Sequence, residues 1–365
     1  MVNSQRLGKV SNNLPVQLSS FVGREREIEQ LTRLLDETRL LTLTGAGGVG
    51  KTRLGLEVAA QMLDEFNDGV WLVELGSIYE PQLVVHKVSS TLGCRGEAAK
   101  SRADTLKQYL DQKVLLLILD NCEHLVQACA ELVAGLLLTC PDLRVLASSR
   151  EPLGVPGETV YEVPPLSIPD LEQPLDHDSL VRSEAVQLFV ERARAHQPAF
   201  QVDEITAPAI AQICLLLDGI PLAVELAAAR VRVLSPPQIA DHLKDSLHFL
   251  ATGARTVVSR QQTLQGSIDW SYALLSVSEQ MLFRHMGIFA GRFVLEDVES
   301  VCSGGLTPAG EWDVTNGSGD FQYPPSILGA TEILNTLSNL VDKSLVRVAP
   351  DWETSYRMLN PIQRF

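Results

Sequence analysis

The chain has 365 residues, 45% of them hydrophobic and 21% charged, and carries a formal net charge of −15. This is the composition of a soluble globular protein of about two to three domains, each long enough for its own core, and it excludes a disordered chain. The negative charge argues against broad, sequence-independent adhesion to nucleic acid or to an anionic membrane.

The first 20 residues read as a polar, extended lead-in without the apolar core of a signal peptide, and no uninterrupted apolar run is long enough to span a membrane. A cytoplasmic location is expected. The turn Val22-Gly23-Arg24 then opens an amphipathic helix, with Ile28, Leu31, Leu34 and Leu35 at helical spacing and charges on the opposite side.

The strand-forming run Leu40-Leu41-Thr42-Leu43-Thr44 breaks into glycines and then a helix-compatible stretch, with Gly45, Gly50, Lys51 and Thr52 satisfying the pattern G-x-x-x-x-G-K-T. The backbone explains the residue types. A triphosphate can be surrounded by amide donors only where side chains do not obstruct it, and Gly45, Gly47, Gly48 and Gly50 leave that room. The helix start adds unpaired N–H groups and the positive end of its dipole. Lys51 is placed to reach the β- and γ-phosphates and the Thr52 hydroxyl to ligate Mg²⁺.

A second strand is expected at 70–75, helices at about 81–92 and 102–112, and a third strand at 113–120. The third strand is apolar along its length, as a central strand of a parallel sheet covered by helices on both faces must be. It ends in Asp120, at the edge where open α/β sheets bind ligands, and a metal-directed role follows from the phosphate loop one crossover upstream. After a helix at 124–140 the fourth strand, 143–150, ends in Arg150, where a guanidinium can feel a γ-phosphate. A fifth strand at 158–163 leads into a Pro- and Asp-rich linker at 164–177. The five strands make an α/β P-loop NTPase domain over 21–165.

From about Ser183 the periodicity is helical, and in Asp218-Gly219-Ile220-Pro221-Leu222-Ala223 a glycine ends one helix and a proline starts the next. Residues 166–255 therefore read as a small helical domain. The remainder, 256–365, holds helices around 261–274, 278–285, 294–302 and 333–341, a Gly/Ser/Pro-containing surface insertion at about 303–327, and a hairpin of two strands at 344–349 and 354–359 around Pro350-Asp351-Trp352. Helices followed by a two-stranded wing describe a winged-helix domain. The six cysteines, Cys94, Cys122, Cys129, Cys140, Cys214 and Cys302, show no C-x-x-C pairing, so neither a zinc site nor a disulfide framework is indicated.

With these motifs in this order, the chain from Phe21 to Phe365 resembles the NB-ARC family of signal-transduction ATPases, also called STAND or AP-ATPases, and in particular bacterial members that accompany transcriptional regulators. The resemblance implies three domains closing over ATP or ADP with Mg²⁺. Phe21, Val22, Gly23 and Arg24 match the motif that helps hold the base and ribose side. Gly45, Ala46, Gly47, Gly48, Val49, Gly50, Lys51 and Thr52, continued by Arg53, match the Walker A loop. Leu115 to Asp120 matches the Walker B strand, with Thr52 and Asp120 as the metal-directed pair. Ser148-Ser149-Arg150 is similar to the sensor arginine, and Gly219 to Ala223 to the GLPLA motif, whose Pro221 packs against nucleotide.

Two departures bear on mechanism. Asn121 stands where many relatives carry a second acid after the Walker B aspartate, and an amide cannot act as a base. Glu123 is the nearest substitute, so slow hydrolysis with Asp120, Glu123 and Arg150 as the catalytic set is expected. Leu359, within Met358-Leu359-Asn360, stands where many relatives have a histidine that touches ADP, leaving Arg357 or Asn360 as alternatives. The function expected is a nucleotide switch, closed with ADP, and open and able to self-associate or engage a separate effector or sensor partner with ATP. The input signal of this family normally enters through helical repeats after the winged helix; none is read in this sequence, so the expectation is either a fragment of a longer chain or a switch module that works with a separate partner. Two rivals stay open: a DNA-binding regulator acting through the wing, disfavoured by seven Lys/Arg against twelve Asp/Glu over 256–365, and a metabolic P-loop ATPase or phosphotransferase.

Overall fold

A computed structural model describes residues 10–94, 101–169, 182–245, 264–289, 291–302, 329–349 and 354–363. The surface insertion expected at 303–327, the boundary near 255, most of the linker at 164–177 and the tip Pro350-Asp351-Trp352 lie wholly or largely outside these residues. The chain divides into two units, 1–264 and 265–365. Among the described residues no helix is long and apolar enough to cross a membrane.

The first unit is built on strands β1 (Leu40–Thr44), β2 (Val70–Glu74), β3 (Leu115–Asp120), β4 (Leu143–Ser148) and β5 (Thr159–Glu162). They form one parallel sheet in the order β2-β3-β4-β1-β5. Helices α1 (Glu25–Glu37) and α2 (Lys51–Gln61) cover one face, and α3 (Leu83–Thr91), α4 (Arg102–Leu110) and α5 (Val126–Leu137) the other. Every residue of β1 and β3 is buried, and successive residues of β3 serve opposite cores. Leu115, Leu117 and Leu119 pack with Val84, Leu106 and Val133, whereas Leu116 and Ile118 pack with Leu31, Leu54 and Val58.

The strand order decides where a ligand can sit. From β1 the chain crosses to the far edge, returns through β3 and β4, and then places β5 on the other side of β1. Right-handed crossovers put the helices of the outward and returning steps on opposite faces. A crevice therefore opens beyond the carboxyl ends of β1 and its neighbours. Register brings Leu43 level with Ser148 and Glu74 level with Asp120 at that edge.

The same unit continues with α6 (Glu184–His196), α7 (Thr206–Leu216), α8 (Pro221–Ala228) and α9 (Pro236–Asp245). Ser183 caps α6 by accepting from Val186 N–H, and Pro221 occupies the first turn of α8, where a missing N–H costs nothing. Gly219 (φ 63°) accepts from Leu166 N–H at 3.0 Å, and a Cβ there would lie 2.2 Å from Leu166 O, so only glycine allows the two chains to approach.

The second unit holds α10 (Leu264–Ala273), α11 (Val277–Met286), α12 (Leu295–Cys302), α13 (Ala330–Asp342) and the short α14 (Asn360–Gln363). The hairpin expected from sequence is present as β7 (Arg347–Ala349) and β8 (Ser355–Arg357). A two-residue strand, β6 (Arg292–Phe293), extends it to an antiparallel sheet in the order β6-β8-β7. Phe289, Phe293 and Tyr356 stack in succession on one face. Ser276 and Glu279 form a capping box at the start of α11. The buried Glu279 also pairs with Lys343 Nζ at 2.8 Å. Burial alone would raise the Glu279 carboxyl, but the hydrogen bond from Lys343 and those at the cap hold it below the usual range.

Candidate functional site

The phosphate loop joins β1 to α2. Gly45, Gly48 and Gly50 all have positive φ (140°, 78° and 95°), a run of conformations that side-chain-bearing residues rarely adopt. Ala46 and Val49 are buried beneath the loop, with Val49 N–H donating to Ala46 O at 3.3 Å, while Gly47 and Gly48 stay partly exposed. Lys51 Nζ lies over the loop and donates to Gly45 O (2.7 Å) and Ala46 O (3.2 Å). Burial lowers its pKa to about 8, with Glu123 and Asp120 opposing the fall and Arg150 adding to it.

Asp120 meets this loop at the end of β3. Its Oδ1 accepts from Thr52 Oγ1 at 2.6 Å and from Ser148 Oγ at 2.5 Å, and Ser148 Oγ in turn accepts from Asn121 N–H at 3.0 Å. Burial pushes the Asp120 carboxyl up, while the two hydroxyl donors pull it down. Asn121 has φ 63°, a left-handed conformation that asparagine tolerates better than most residues, which gives this position a backbone reason for its side chain. The oxygen-rich pair Thr52 and Asp120 suits a hard cation such as Mg²⁺. Among the described residues no group of three His, Cys, Asp or Glu side chains could hold a metal. A cation here would therefore draw its remaining ligands from phosphate and water, as Mg²⁺ commonly does.

Glu123 and Arg150 are buried side by side, with Arg150 Nε 3.4 Å from Glu123 Oε1. Burial lowers the Arg150 pKa and Glu123 counters it. Glu123 Oε2 is buried without a hydrogen-bond partner among the described residues. An unsatisfied carboxylate oxygen near Lys51 and Asp120 is costly unless something else approaches it.

The turn before α1 closes another side of the loop. Arg24 is buried, has φ 67°, and its Nη2 donates to Val49 O (2.7 Å) and Pro164 O (2.9 Å). Phe21 lies under the Arg53 guanidinium, 5.9 Å from ring centre to carbon, and Val22 is half-buried beside it in sequence. The Arg53 side chain runs to Ser19 O (3.1 Å), Ser20 O (3.0 Å) and Glu225 Oε1 (3.3 Å), so its guanidinium is taken up by the lead-in and by α8. Helix α8 also touches the loop directly. Leu222 N–H donates to Gly48 O at 3.2 Å, and Pro221 Cγ lies 3.9 Å from where a Cβ on Gly50 would be.

The fold thus brings together the residues singled out along 21–53, at 120–123, at Arg150 and at Pro221. Sequence reasoning missed Ser148 as a partner of Asp120, and it missed Glu184, Arg192 and Glu225. Ser148 was within reach, lying in the stretch Ser148-Ser149-Arg150, whereas the other three carry no local signal. In the second unit Leu359 is buried, and Arg357, Asn360 and Arg292 line a cavity of about 650 Å³.

The chain is similar to known proteins in sequence and in fold. Residues 24–130 match the NB-ARC domain family. A Mycobacterium tuberculosis protein named among the HTH-type transcriptional regulators is 43% identical over 334 residues, covering 91% of this chain and 34% of that protein. The chain thus spans about a third of the length of the regulators it matches. An uncharacterized protein of the same organism is 35% identical over 361 residues, covering 99% of this chain and 84% of that one. Among solved structures, a Walker-type ATPase of Pyrococcus abyssi shares the fold at a TM-score of 0.56 and 14% identity, with 94% of this chain and 95% of the other covered.

Proposed function

Because the chain belongs to the NB-ARC family of STAND ATPases, on the branch related to transcriptional regulators, we propose that it is an adenine-nucleotide switch, closed with ADP and opened for assembly by ATP. In this reading the loop from Gly45 to Arg53 and the turn from Phe21 to Arg24 hold the nucleotide, and Lys51 neutralises its phosphates. Thr52, backed by Asp120, holds Mg²⁺, which when bound would screen charge on the phosphate oxygens. Arg150 senses the terminal phosphate, and Pro221 carries the nucleotide state into the helical domain, 166–255. Residues 256–365 form the winged-helix domain that completes the closed state.

The observation that carries this reading is the contact of α8 with the loop itself, Leu222 N–H on Gly48 O. Any change in loop shape on binding is felt at once by a helix outside the sheet. Hydrolysis is slow in this proposal, since Asn121 supplies no base and Glu123 is already engaged with Arg150. Moving such a switch from 1:99 to 99:1 takes about 5.5 kcal/mol of differential affinity between its two states. The test is affinity and particle size with ADP and with ATP, each with magnesium. Tighter retention of ADP by a monomer and growth in size with ATP are expected; equal size and equal affinity in both would end the switch reading.

One observation favours a second reading, a duplex-DNA contact through the small sheet. Arg292, Arg357 and Arg347 are register partners across β6, β8 and β7, which puts three like charges on one face. A row of guanidiniums at this spacing suits a polyanion. A salt-dependent mobility shift of duplex DNA that is lost in Arg357→Ala would support it.

A further inference from the structure

The stretch 19–24, which includes the turn from Phe21 to Arg24 that holds the nucleotide in the proposed function, is also gripped from outside the sheet layer. Ser20 O accepts from Arg192 Nη2 at 2.8 Å, and Arg24 N–H donates to Glu184 Oε1 at 2.6 Å. Both partners lie on α6. The second oxygen of Glu184 accepts from Ser167 N–H at 3.0 Å, so the carboxylate joins the turn to the connection between sheet and helices. That closeness leaves little room for a side chain at position 23, where a Cβ would lie 2.6 Å from Glu184 Oε1.

Glu225 does the same at the other end. Its Oε1 accepts from Arg192 Nε (2.9 Å) and Arg53 Nη1 (3.3 Å), and these two arginines between them hold Ser19 O and Ser20 O. Glu225 lies one helical turn after Pro221 on α8, so the element that touches the phosphate loop also anchors the turn. Arg24 adopts a left-handed conformation that a residue with a side chain keeps only where its surroundings impose it. The Glu184 carboxylate on its N–H is one such constraint.

We propose that Glu184 and Glu225 are positioning residues that fasten the 19–24 turn to helices α6 and α8, so that the turn moves with those helices and sets the rate at which bound nucleotide leaves. The sheet layer holds this turn through the Arg24 and Phe21 side chains and through Arg53 of α2 on Ser19 O and Ser20 O, while α6 adds Arg192 on Ser20 O and Glu184 on Arg24 N–H, and Glu225 of α8 holds both arginines. Motion of α6 and α8 therefore pulls on the backbone of the turn. The inference rests on the nucleotide reading above.

The experiment is stopped-flow release of a fluorescent N-methylanthraniloyl ADP, and of its ATP counterpart, from the full chain. It compares the parent with Glu225→Gln, Glu184→Gln and Arg192→Lys. Glu191→Gln serves as control, since Glu191 bonds the same arginine at 2.8 Å without reaching the turn. Loss of a charge-assisted, half-exposed contact should speed release about five- to tenfold for both nucleotides, with association rates within about twofold. The control should release like the parent, and melting of the nucleotide-free variants should stay close to it. Arg192→Lys keeps the charge but not the fork, and should release faster as well, which covers the case in which one glutamate variant fails to fold. Release within about twofold of the parent in every folded variant would overturn the inference while leaving nucleotide binding intact. A parent that binds neither fluorescent nucleotide would instead overturn the proposed function.

Discussion

Lys51 shows how a single side chain links protonation to ligand. Its folded pKa of about 8 lies below the ordinary value of 10.5, with burial as the main cause. Between those values the unfolded chain binds the extra proton, so the contribution of Lys51 to stability rises with pH from about 8 to about 10.5 and is at its least favourable below 8. Phosphates bound beside the amine act in the opposite direction and restore the proton. Nucleotide binding at about pH 9 should therefore take up protons, seen as a titration heat that depends on buffer ionisation enthalpy, and that dependence should fade as the pH is lowered to about 7, where the amine already carries its proton. Ser148 makes a second case. Its hydroxyl serves Asp120 and the backbone of Asn121 together, so Ser148→Ala should cost about 1–3 kcal/mol in urea unfolding, larger than a typical surface substitution.

At the scale of elements, the start of α8 matters more than its length. Gly219 is packed against Leu166 O in a left-handed conformation, and Pro221 and Leu222 then meet the phosphate loop. Gly219→Ala should destabilise the first unit by about 1–3 kcal/mol in chemical denaturation, since neither the conformation nor the space suits a Cβ. The elements themselves were largely legible in the sequence. The apolar run of β3 can be accommodated only between two helical layers, and the glycines before Lys51 admit few other structures. Less legible were the edges. Strand β6 is two residues long and pairs through Arg292 and Phe293, too short for any alternation to register. Asn13 exchanges two hydrogen bonds with the backbone of Leu72 on the sheet edge, which a polar lead-in does not announce.

For the molecule as a whole, a nucleotide that binds the folded state alone stabilises it by about 2.7 kcal/mol at a hundred times its Kd. ADP with magnesium should therefore raise the melting temperature of the parent by several degrees, roughly 5–10 °C for a unit of this size, and Lys51→Ala should show no rise. What the sequence determined by itself is whatever is written in consecutive residues: the strand, loop and helix around Gly45 to Thr52, the acid that ends β3, and the glycine and proline that punctuate α8. These depend on backbone conformation and local periodicity, which neighbouring residues set. Only the tertiary structure decided which side chains hold those pieces together. Arg24 meets Glu184 across 160 residues and Arg53 meets Glu225 across 172. An isolated glutamate on a helix looks the same in sequence whether it faces water or an arginine, because its partner is chosen by how the helices pack on the sheet.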